Sequence, residues 1–311
     1  LKSLDPPAGC TVLRRDFDSF LLEKARACGA RFFAQTRFLG AASMRGYVEV
    51  LTNRGAFHCN LLLGADGVAS AVRGKVFGRD LVRYVPALEA LVPISQAQGA
   101  HFDRRVLFDF GAVARGYGWI FPKHGHLNVG VYSPFGGRRL REQLAAFIAR
   151  YTPPRASPKV DYRGFPIPVR NVQGRFQDNR VWLLGDAAGF ADGLFGEGIY
   201  FALKSAALAA RALRETGFAP CNTRYTELVK EELLPDLRAA EWMGKALFAL
   251  PAFAFSRLAC NPKISDRFAG LISGTVGYRE CLRKTLTSSP QWLFSRAKTL
   301  PRSAIFPLAT R

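Results

Sequence analysis

The sequence has no apolar run long enough to cross a bilayer. The longest one, at 246–255, is short and is interrupted by Pro251, whereas a spanning helix needs about 20 apolar residues. With 311 residues, of which 49% are hydrophobic and 22% charged, the chain is also unlike a disordered protein. We therefore expect one or two globular domains that can lie on a membrane without spanning it.

Clustered metal-binding residues are missing as well. The six cysteines are scattered without a C-x-x-C pair, and the four histidines do not lie beside them at zinc-ligand spacing. No metal site is therefore predicted. Unclustered cysteines and the lack of a signal-peptide pattern are typical of free thiols in a reducing cytosol. We expect a cytoplasmic protein, peripheral on the inner face of the membrane if it contacts lipid.

Acidic side chains are few. The chain has 44 Lys and Arg against 24 Asp and Glu, a net charge of +20, and the stretch 236–311 has twelve against four. Aromatic residues lie among these charges, which fits a protein that collects its substrate from an anionic membrane surface. A solvated helical cap is the alternative. Nucleic acid is not expected as a partner, since no recognised binding motif accompanies the charge, and the oligomeric state is left open.

The hydrophobic patterns change twice along the chain. Strands are predicted at 48–51, 57–63, 106–110, 117–121, 127–132 and 181–184. Helices are predicted at 17–28, 140–151 and from about Gly198 to Leu213, and 236–311 is helical in texture. The middle strands alternate aromatic residues, as antiparallel hairpins do, whereas the flanking segments are typical of a nucleotide-type α/β sheet.

The first motif with chemistry follows a strand that we expect to be buried on both faces. Leu61-Leu62-Leu63 runs into Gly64-Ala65-Asp66-Gly67, with Ser70 and Arg73 at three-residue steps. Such a turn puts a carboxylate and small residues at the carboxyl edge of a sheet, where nucleotides bind. A simple cap of the following helix by Asp66 is the alternative interpretation.

The second motif combines a strand, a loop of small residues and a helix N-terminus. The strand at 181–184 delivers Asp186 into the loop, and Gly196-Glu197-Gly198 opens the next helix. Asp186 can accept hydrogen bonds from polyol hydroxyls, and the helix amides favour partial negative charge on a docked ring system, such as the pyrimidine end of a reduced flavin. A tight turn alone would explain the small residues but not Asp186 together with Glu197.

These motifs, with Arg14-x-x-Phe17-Asp18 ahead of the first helix, resemble the para-hydroxybenzoate hydroxylase-like flavoproteins. More narrowly, the chain resembles the geranylgeranyl reductase family, whose members reduce isoprenoid double bonds with FAD. The narrower match depends on Tyr117-Gly118-Trp119-Ile120-Phe121-Pro122, followed after seven residues by Gly130. The resemblance covers roughly 14–213.

The resemblance implies roles for the site residues. Asp186 would bind the ribityl and pyrophosphate region of FAD, and Asp66 and Gly67 would lie near the pyrophosphate and the NAD(P)H path. Arg14 would be a cofactor-side arginine. The residues implied to lie against the isoalloxazine are Gly196, Glu197, Gly198 and Ile199.

The resemblance also implies a substrate pocket. Tyr117, Trp119 and Phe121 alternate along one strand, so they share a face, and in the family this face lines the pocket for a long apolar prenyl chain. An ordinary core strand would show the same alternation. No proton donor is identified, and Tyr117 and Glu197 are the candidates.

The implied architecture is α/β, α+β overall, with four segments. A partial Rossmann-like FAD-binding domain spans 1–80 and resumes at 166–215. An inserted antiparallel β substrate domain spans 81–165, and a basic helical region spans 216–311.

Three departures from the family pattern stand out. Gly193 replaces the usual proline of the loop, and the family's Gly-x-Gly reads Gly130-Val131-Tyr132. The Gly-x-Gly-x-x-Gly fingerprint that binds the AMP pyrophosphate is missing altogether. We therefore expect a family member without its N-terminal βαβ unit, with an exposed sheet edge near the start.

The resulting hypothesis is an FAD-dependent reductase of isoprenoid double bonds on a lipid, quinone or chlorophyll-type substrate, with NAD(P)H or ferredoxin as reductant. Two alternatives remain open. One is a flavin-dependent aromatic hydroxylase of the same superfamily, and the other is a truncated copy that binds no FAD and catalyses nothing.

Overall fold

The computed structural model describes residues 10–78, 82–94, 102, 105–151, 160–170, 174–218, 223–249, 262–287 and 303–307. The chain divides into two compact units. Unit 1 comprises Leu1–Ala30, Pro86–Phe165 and Trp242–Arg311, and unit 2 comprises Arg31–Val85 and Pro166–Glu241. The domain boundaries expected from the sequence stay predictions, and the proline-rich stretch at 152–159 lies outside the described residues.

Strands predominate in the first half of the described chain and helices in the second half. The strands are β1 (Phe38–Ser43), β2 (Val48–Thr52), β3 (Gly55–Cys59), β4 (Leu62–Gly64), β5 (Val82–Pro93), β6 (Arg105–Asp109), β7 (Tyr117–Lys123), β8 (His126–Tyr132), β9 (Asp161–Arg170), β10 (Gln177–Asp178), β11 (Val181–Leu183) and β12 (Ser303–Pro307). The helices are α1 (Arg14–Ala27), α2 (Leu140–Tyr151), α3 (Ile199–Thr216), α4 (Arg224–Glu232), α5 (Leu234–Ala249), α6 (Pro262–Ile272) and α7 (Tyr278–Thr287). A π-helical turn spans Arg73–Phe77, and a 3-10 turn spans Gly185–Ala188.

Most residues of a six-stranded sheet, in the order β12-β6-β7-β8-β5-β9, belong to unit 1. The predicted antiparallel hairpins are confirmed, since β6 pairs with β7 and β7 with β8. Helix α2, whose predicted bounds are also confirmed, buries Leu144 and Phe147 against one face of this sheet. Alternate residues of the strands, such as Ile120 and Val129, complete that core.

Unit 2 contains two three-stranded sheets, β1-β2-β3 and β10-β11-β4. The pair β11–β4 is parallel, as expected of a nucleotide-type sheet. Behind β11, the Trp182 and Tyr225 rings stack with centroids 5.0 Å apart, and the Tyr225 hydroxyl donates to Leu183 O at 2.9 Å. This contact ties α4 to the strand that leads into the second motif.

The expectation that Leu61-Leu62-Leu63 is buried on both faces is wrong. The predicted strand at 57–63 is interrupted, because β3 ends at Cys59 and β4 begins at Leu62. Leu62 is partly exposed and Leu63 is 39% exposed, so the described elements do not cover both faces of β4. Within the described residues β4 is also an edge strand, with β11 as its sheet neighbour.

Two further elements differ from the sequence prediction. Helix α1 forms as expected but has no buried residue, and Phe20 on its apolar side is 55% exposed, because no described element covers that side. The basic stretch 236–311 is helical in α5, α6 and α7 but also supplies β12, which pairs with β6. Among the described helices, none combines the length and hydrophobicity needed to cross a membrane.

Candidate functional site

The two sequence motifs of unit 2 leave the sheet side by side. In the parallel pair of β4 and β11, Leu63 is opposite Trp182 and Gly64 is opposite Leu183. The loops that follow these strands therefore emerge at the same carboxyl edge, as the sequence predicts. Gly64 allows this close pairing, because a β-carbon there would lie 2.8 Å from the Leu183 side chain.

Asp66 caps the turn that follows the first motif. Its Oδ2 accepts the amides of Ala71 at 2.7 Å and Val72 at 3.1 Å, and its Oδ1 accepts the Ser70 hydroxyl at 2.6 Å. The cap interpretation is thus confirmed, and the role of Asp66 near a cofactor stays a prediction. The neighbouring Gly67 has φ 76° and open space where a side chain would lie, so the backbone there is accessible to a ligand.

Arg73 joins the two motifs. Although only 3% exposed, its guanidinium donates to Asp186 O at 3.2 Å, Ala187 O at 2.8 Å and Val68 O at 2.6 Å. It also donates to the Tyr84 hydroxyl at 2.9 Å. Sequence reasoning noted Arg73 in the motif but gave it no role, because its main acceptors lie 113 and 114 residues away.

Asp186 lies at the junction of the small-residue loop and helix α3. A β-carbon on Gly198 would lie 2.7 Å from Asp186 Oδ1, so only glycine leaves the carboxylate in this position. Gly185 packs equally closely, with a β-carbon position 2.8 Å from Ala202 Cβ, and its amide donates to Ser205 Oγ at 3.0 Å. The glycines therefore hold the helix start against the half-buried carboxylate.

Asp192 organises the rest of the loop and was missed as a site residue. It is fully buried and accepts the amides of Leu194 at 2.8 Å, Phe195 at 2.6 Å and Glu197 at 2.6 Å. Gly196 turns the chain with φ 73° and donates its amide to Asp192 O at 3.1 Å. The sequence signal that could have predicted this role is the presence of a second aspartate in the motif.

Glu197 lies at the surface where α3 begins and titrates abnormally. Desolvation and the nearby Asp192 carboxylate raise the pKa of Glu197 to about 7, against a lowering contribution from a hydrogen bond with the Tyr200 amide. A carboxyl group with this pKa holds a proton about half the time at neutral pH. It can therefore donate or accept a proton under physiological conditions.

The start of α3 presents backbone donors and apolar side chains to solvent. Gly198, its N-cap, gives no side-chain cap to the helix amides, and Ile199 and Tyr200 are 40% and 47% exposed. The Glu197 carboxyl group bonds the Tyr200 amide, whereas the glycine backbone at Gly198 and the Asp186 carboxylate suit the flavin ring and ribityl chain of FAD. For the AMP end of FAD, the sequence has no Gly-x-Gly-x-x-Gly loop.

Arg14, the predicted cofactor-side arginine, belongs to unit 1 and not to unit 2, which holds the other predicted cofactor residues. It lies on α1, exposed, and its guanidinium binds the Asp18 carboxylate at 3.1 Å. Its role toward FAD stays a prediction.

The predicted substrate residues line one face of the unit 1 sheet. Tyr117 is buried, and its ring centroid lies 5.6 Å from that of Phe108 and 5.4 Å from that of Tyr132. Trp119 and Phe121 are partly exposed further along β7, with ring centroids 6.2 Å apart. The face is thus closed at Tyr117 and partly open at Phe121.

Trp119 lies over Gly130, its partner on β8. A β-carbon on Gly130 would lie 2.0 Å from Trp119 Cζ2, which explains why this position of the family pattern is glycine here. The Trp119 indole donates to Asn128 Oδ1 at 2.7 Å, and the Asn128 amide donates to Glu89 Oε2 at 2.8 Å. These hydrogen bonds from Trp119 through Asn128 to Glu89 were not predicted, because they depend on how the strands are aligned in the sheet.

Comparisons with known proteins show which sequences this chain is similar to. No protein-family model matches the chain. It is 28% identical to "Digeranylgeranylglycerophospholipid reductase 2" of Methanosphaera stadtmanae, over 73% of this chain and 61% of that protein. It is 32% identical to the chloroplastic "Geranylgeranyl diphosphate reductase" of Nicotiana tabacum, over 50% of this chain and 33% of that protein. It is also 29% identical to "Menaquinone reductase" of Mycobacterium tuberculosis, over 67% of this chain and 55% of that protein.

Solved structures show the same fold. A geranylgeranyl bacteriochlorophyll reductase-like protein from Thermoplasma acidophilum has a TM-score of 0.61 at 20% identity, covering 90% of this chain and 73% of that one. The flavin-dependent brominase Bmp2 has a TM-score of 0.64 at 15% identity, covering 89% and 75%. The chain therefore shares the α/β fold of these two proteins.

Within this fold, the resemblance predicted from the motifs is confirmed. The chain is a homologue of proteins named geranylgeranyl reductase and digeranylgeranylglycerophospholipid reductase. It spans about three fifths of the length of the first relatives it matches, 63% and 61%.

Proposed function

We propose that this chain is part of an FAD-dependent reductase that saturates isoprenoid double bonds on a lipid, quinone or chlorophyll-type substrate. The observation that carries the proposal is that one chain combines the Asp186–Gly198 junction at the start of α3 with an aromatic sheet face at Tyr117, Trp119 and Phe121. The names of the relatives support the same substrate class.

Unit 2 contributes the groups that would hold the cofactor. Asp186 would accept hydrogen bonds from the ribityl hydroxyls, while the uncapped amides at Gly198 and Ile199 would face the ring. Arg73 keeps both loops in register through its bonds to Asp186 O and Val68 O. FAD, when bound and reduced, would supply the hydride, and NAD(P)H or ferredoxin would be the source of its electrons.

Unit 1 contributes the apolar surface. An isolated alkene offers little polarity for hydride attack, so close positioning and exclusion of water must lower the barrier. The Trp119 and Phe121 rings offer a flat apolar surface to a prenyl chain. As hydride reaches one alkene carbon, the other carbon needs a proton. Glu197, with a pKa of about 7, suits that role better than the buried Tyr117.

The first experiment is an absorbance scan of the purified chain after incubation with FAD and gel filtration. We expect flavin bands that elute with protein, bleach on reduction and return when a geranylgeranyl lipid is added. Product that forms only with oxygen would favour the aromatic hydroxylase instead. No retained flavin, but retention once an upstream Gly-x-Gly-x-x-Gly segment is fused, would show that the activity belongs to a longer protein.

A Trp119→Ala variant tests the assignment of the sheet face. We expect loss of prenyl turnover with FAD retention unchanged, because Trp119 belongs to unit 1, whereas Asp186 and the start of α3 belong to unit 2. Phe165→Ala, at an exposed aromatic residue of unit 1, is the matched control. Unchanged turnover in Trp119→Ala would contradict the pocket assignment.

A further inference from the structure

Three polar groups form a hydrogen-bonded line across the aromatic face of the unit 1 sheet. The Trp119 indole Nε1 donates to Asn128 Oδ1 at 2.7 Å, and Asn128 Nδ2 donates to Glu89 Oε2 at 2.8 Å. The three residues come from the neighbouring strands β7, β8 and β5, and each is half-buried. The line therefore lies neither in the closed core nor on the open surface.

Strand register places the indole along this line. Trp119 is opposite Gly130, and Gly130 is opposite Glu89, so the three positions form one row on the same face of the sheet. Phe121 and Asn128 are opposite each other in the next row. A β-carbon on Gly130 would lie 2.0–2.4 Å from three atoms of the six-membered indole ring. The ring therefore extends from β7 over the bare backbone of β8.

The order of donors and acceptors fixes the orientation of the Asn128 amide. An indole N–H can only donate, so Asn128 turns its oxygen toward Trp119 and its NH2 group toward Glu89. An ionised carboxylate can only accept, and a hydrogen bond to it is stronger than one between neutral groups. Glu89 therefore holds the amide in the one orientation that binds the indole.

This arrangement suits an apolar ligand for two reasons. The N–H is the polar group of the indole, and because Asn128 satisfies it, a prenyl chain that covers the ring leaves no donor without a partner. The ring is also held in place before the ligand arrives, so binding costs less side-chain entropy.

We propose that Asn128 and Glu89 are positioning residues, which fix the Trp119 indole over Gly130 as a preformed surface for the prenyl chain. This inference rests on the proposed function, because it takes a prenyl chain as the ligand of the aromatic face.

The first test is spectroscopic and needs no substrate. NMR of the 15N-labelled chain measures how fast the Trp119 indole proton exchanges with solvent, and Trp119→Phe identifies its signal among the four tryptophans. We expect Glu89→Ala to speed this exchange about tenfold, because the Asn128 amide is then free to turn away. Glu89→Gln keeps an acceptor oxygen and should stay within about threefold of the unchanged chain.

Two further variants complete this test. Asn128→Ala removes the acceptor itself, so it should speed the exchange at least as much as Glu89→Ala, and it decides the matter if Glu89→Ala does not fold. Glu142→Ala, at an exposed glutamate of α2 in unit 1, is the matched control and should leave the exchange rate unchanged.

The second test is calorimetric titration of the same proteins with geranylgeraniol in detergent micelles, against micelles alone. We expect Glu89→Ala and Asn128→Ala to weaken binding about tenfold, because the indole is no longer held in place. Glu89→Gln should bind within about threefold of the unchanged chain, and Glu142→Ala should bind like it.

The outcomes separate this inference from the proposed function. Unchanged indole exchange or unchanged affinity in Glu89→Ala and Asn128→Ala overturns the positioning role and leaves the reductase proposal standing. Absence of geranylgeraniol binding in the unchanged chain overturns both the inference and the pocket assignment. Binding that depends on Glu89, in a chain that retains no flavin, supports the inference and counts against the cofactor part of the proposed function.

Discussion

At the start of α3, two influences raise the pKa of Glu197: desolvation and the nearby Asp192 carboxylate. The Glu197 carboxyl group is at the surface but close to the buried Asp192, which binds three amides of the same loop. Glu197 therefore takes up a proton at a higher pH than an ordinary glutamate.

Glu197→Gln should therefore change how stability depends on pH. The pKa of Glu197 in the folded chain, about 7, is above the usual 4.5, so the folded state binds the proton more tightly than the unfolded state. This contribution to stability is complete below about pH 4.5 and is lost as the pH rises through 7. For an exposed group we expect about 1 kcal/mol.

Urea unfolding at about pH 5 and pH 8 measures this difference. The Gln variant should lose less stability over that interval than the unchanged chain, whereas Glu231→Gln on α4 should behave like the unchanged chain. Identical pH dependence in all three proteins would mean that Glu197 does not titrate near neutrality.

Gly198→Ala tests the junction between Asp186 and α3. The new β-carbon would lie 2.7 Å from Asp186 Oδ1, so the carboxylate must move aside. Because a side-chain end moves easily, we expect a loss of stability below about 1 kcal/mol. If Asp186 binds the ribityl chain, flavin affinity should fall about tenfold or more.

Flavin fluorescence titration provides the measurement, with Gly74→Ala as the control. Gly74 has open space around its β-carbon position and no positive φ, so its alanine variant should bind flavin normally. Equal affinity in both variants would remove Asp186 from the cofactor site.

At the scale of elements, β7 and β8 are held together by side-chain shape as well as by backbone hydrogen bonds. Trp119 and Gly130 are opposite each other in the register, and the indole fills the space that a side chain on Gly130 would need. The pair is therefore complementary, and each residue constrains the other.

Gly130→Ala should destabilise unit 1 by about 1–3 kcal/mol, because its β-carbon would lie 2.0 Å from Trp119 Cζ2 and the indole must leave its rotamer. Adding Trp119→Ala removes the clash, so the double variant should be more stable than the sum of the single effects predicts. Denaturant unfolding of the four proteins measures the coupling. Additive effects would show that the indole does not lie over Gly130 in solution.

The sequence predicts elements well where the signal is local. Helix α2 has the expected bounds, and the hairpins β6–β7 and β7–β8 follow from the aromatic alternation and the turn at Gly125. What it misses depends on distant partners. The exposure of Leu63 depends on which elements cover the faces of β4, and the burial of Arg73 depends on carbonyls 113 and 114 residues away. No local pattern encodes either.

The candidate site shows the same difference between features that local sequence patterns predict and features that depend on distant residues. The two motifs show that Asp66 and Asp186 lie at one sheet edge, because parallel strands end together. They leave open whether Asp66 is a cap, and they do not show that Asp192 holds the loop. Those facts depend on loop conformation and packing, which composition and spacing do not determine.

At the scale of the whole molecule, the dominant property is the net charge of +20. A field of this size concentrates anions near the protein whether or not a specific site exists. A specific anion site would therefore have to show saturable binding that depends on particular residues, whereas attraction by the overall charge weakens steadily with salt.

The same charge leads to a prediction about membranes. Each Lys or Arg near an anionic surface contributes about 1 kcal/mol, and the exposed apolar residues Phe20, Leu13 and Val12 of unit 1 could add contacts with lipid. We expect the chain to sediment with vesicles that contain anionic lipid and to be released as salt shortens the Debye length from about 10 Å at 0.1 M to about 3 Å at 1 M.

Vesicles of zwitterionic lipid are the control. Equal sedimentation with both vesicle types would show that the basic surface does not recruit the protein. The solvated cap would then be the better account of the stretch 236–311, and the prenyl substrate would have to arrive by another route.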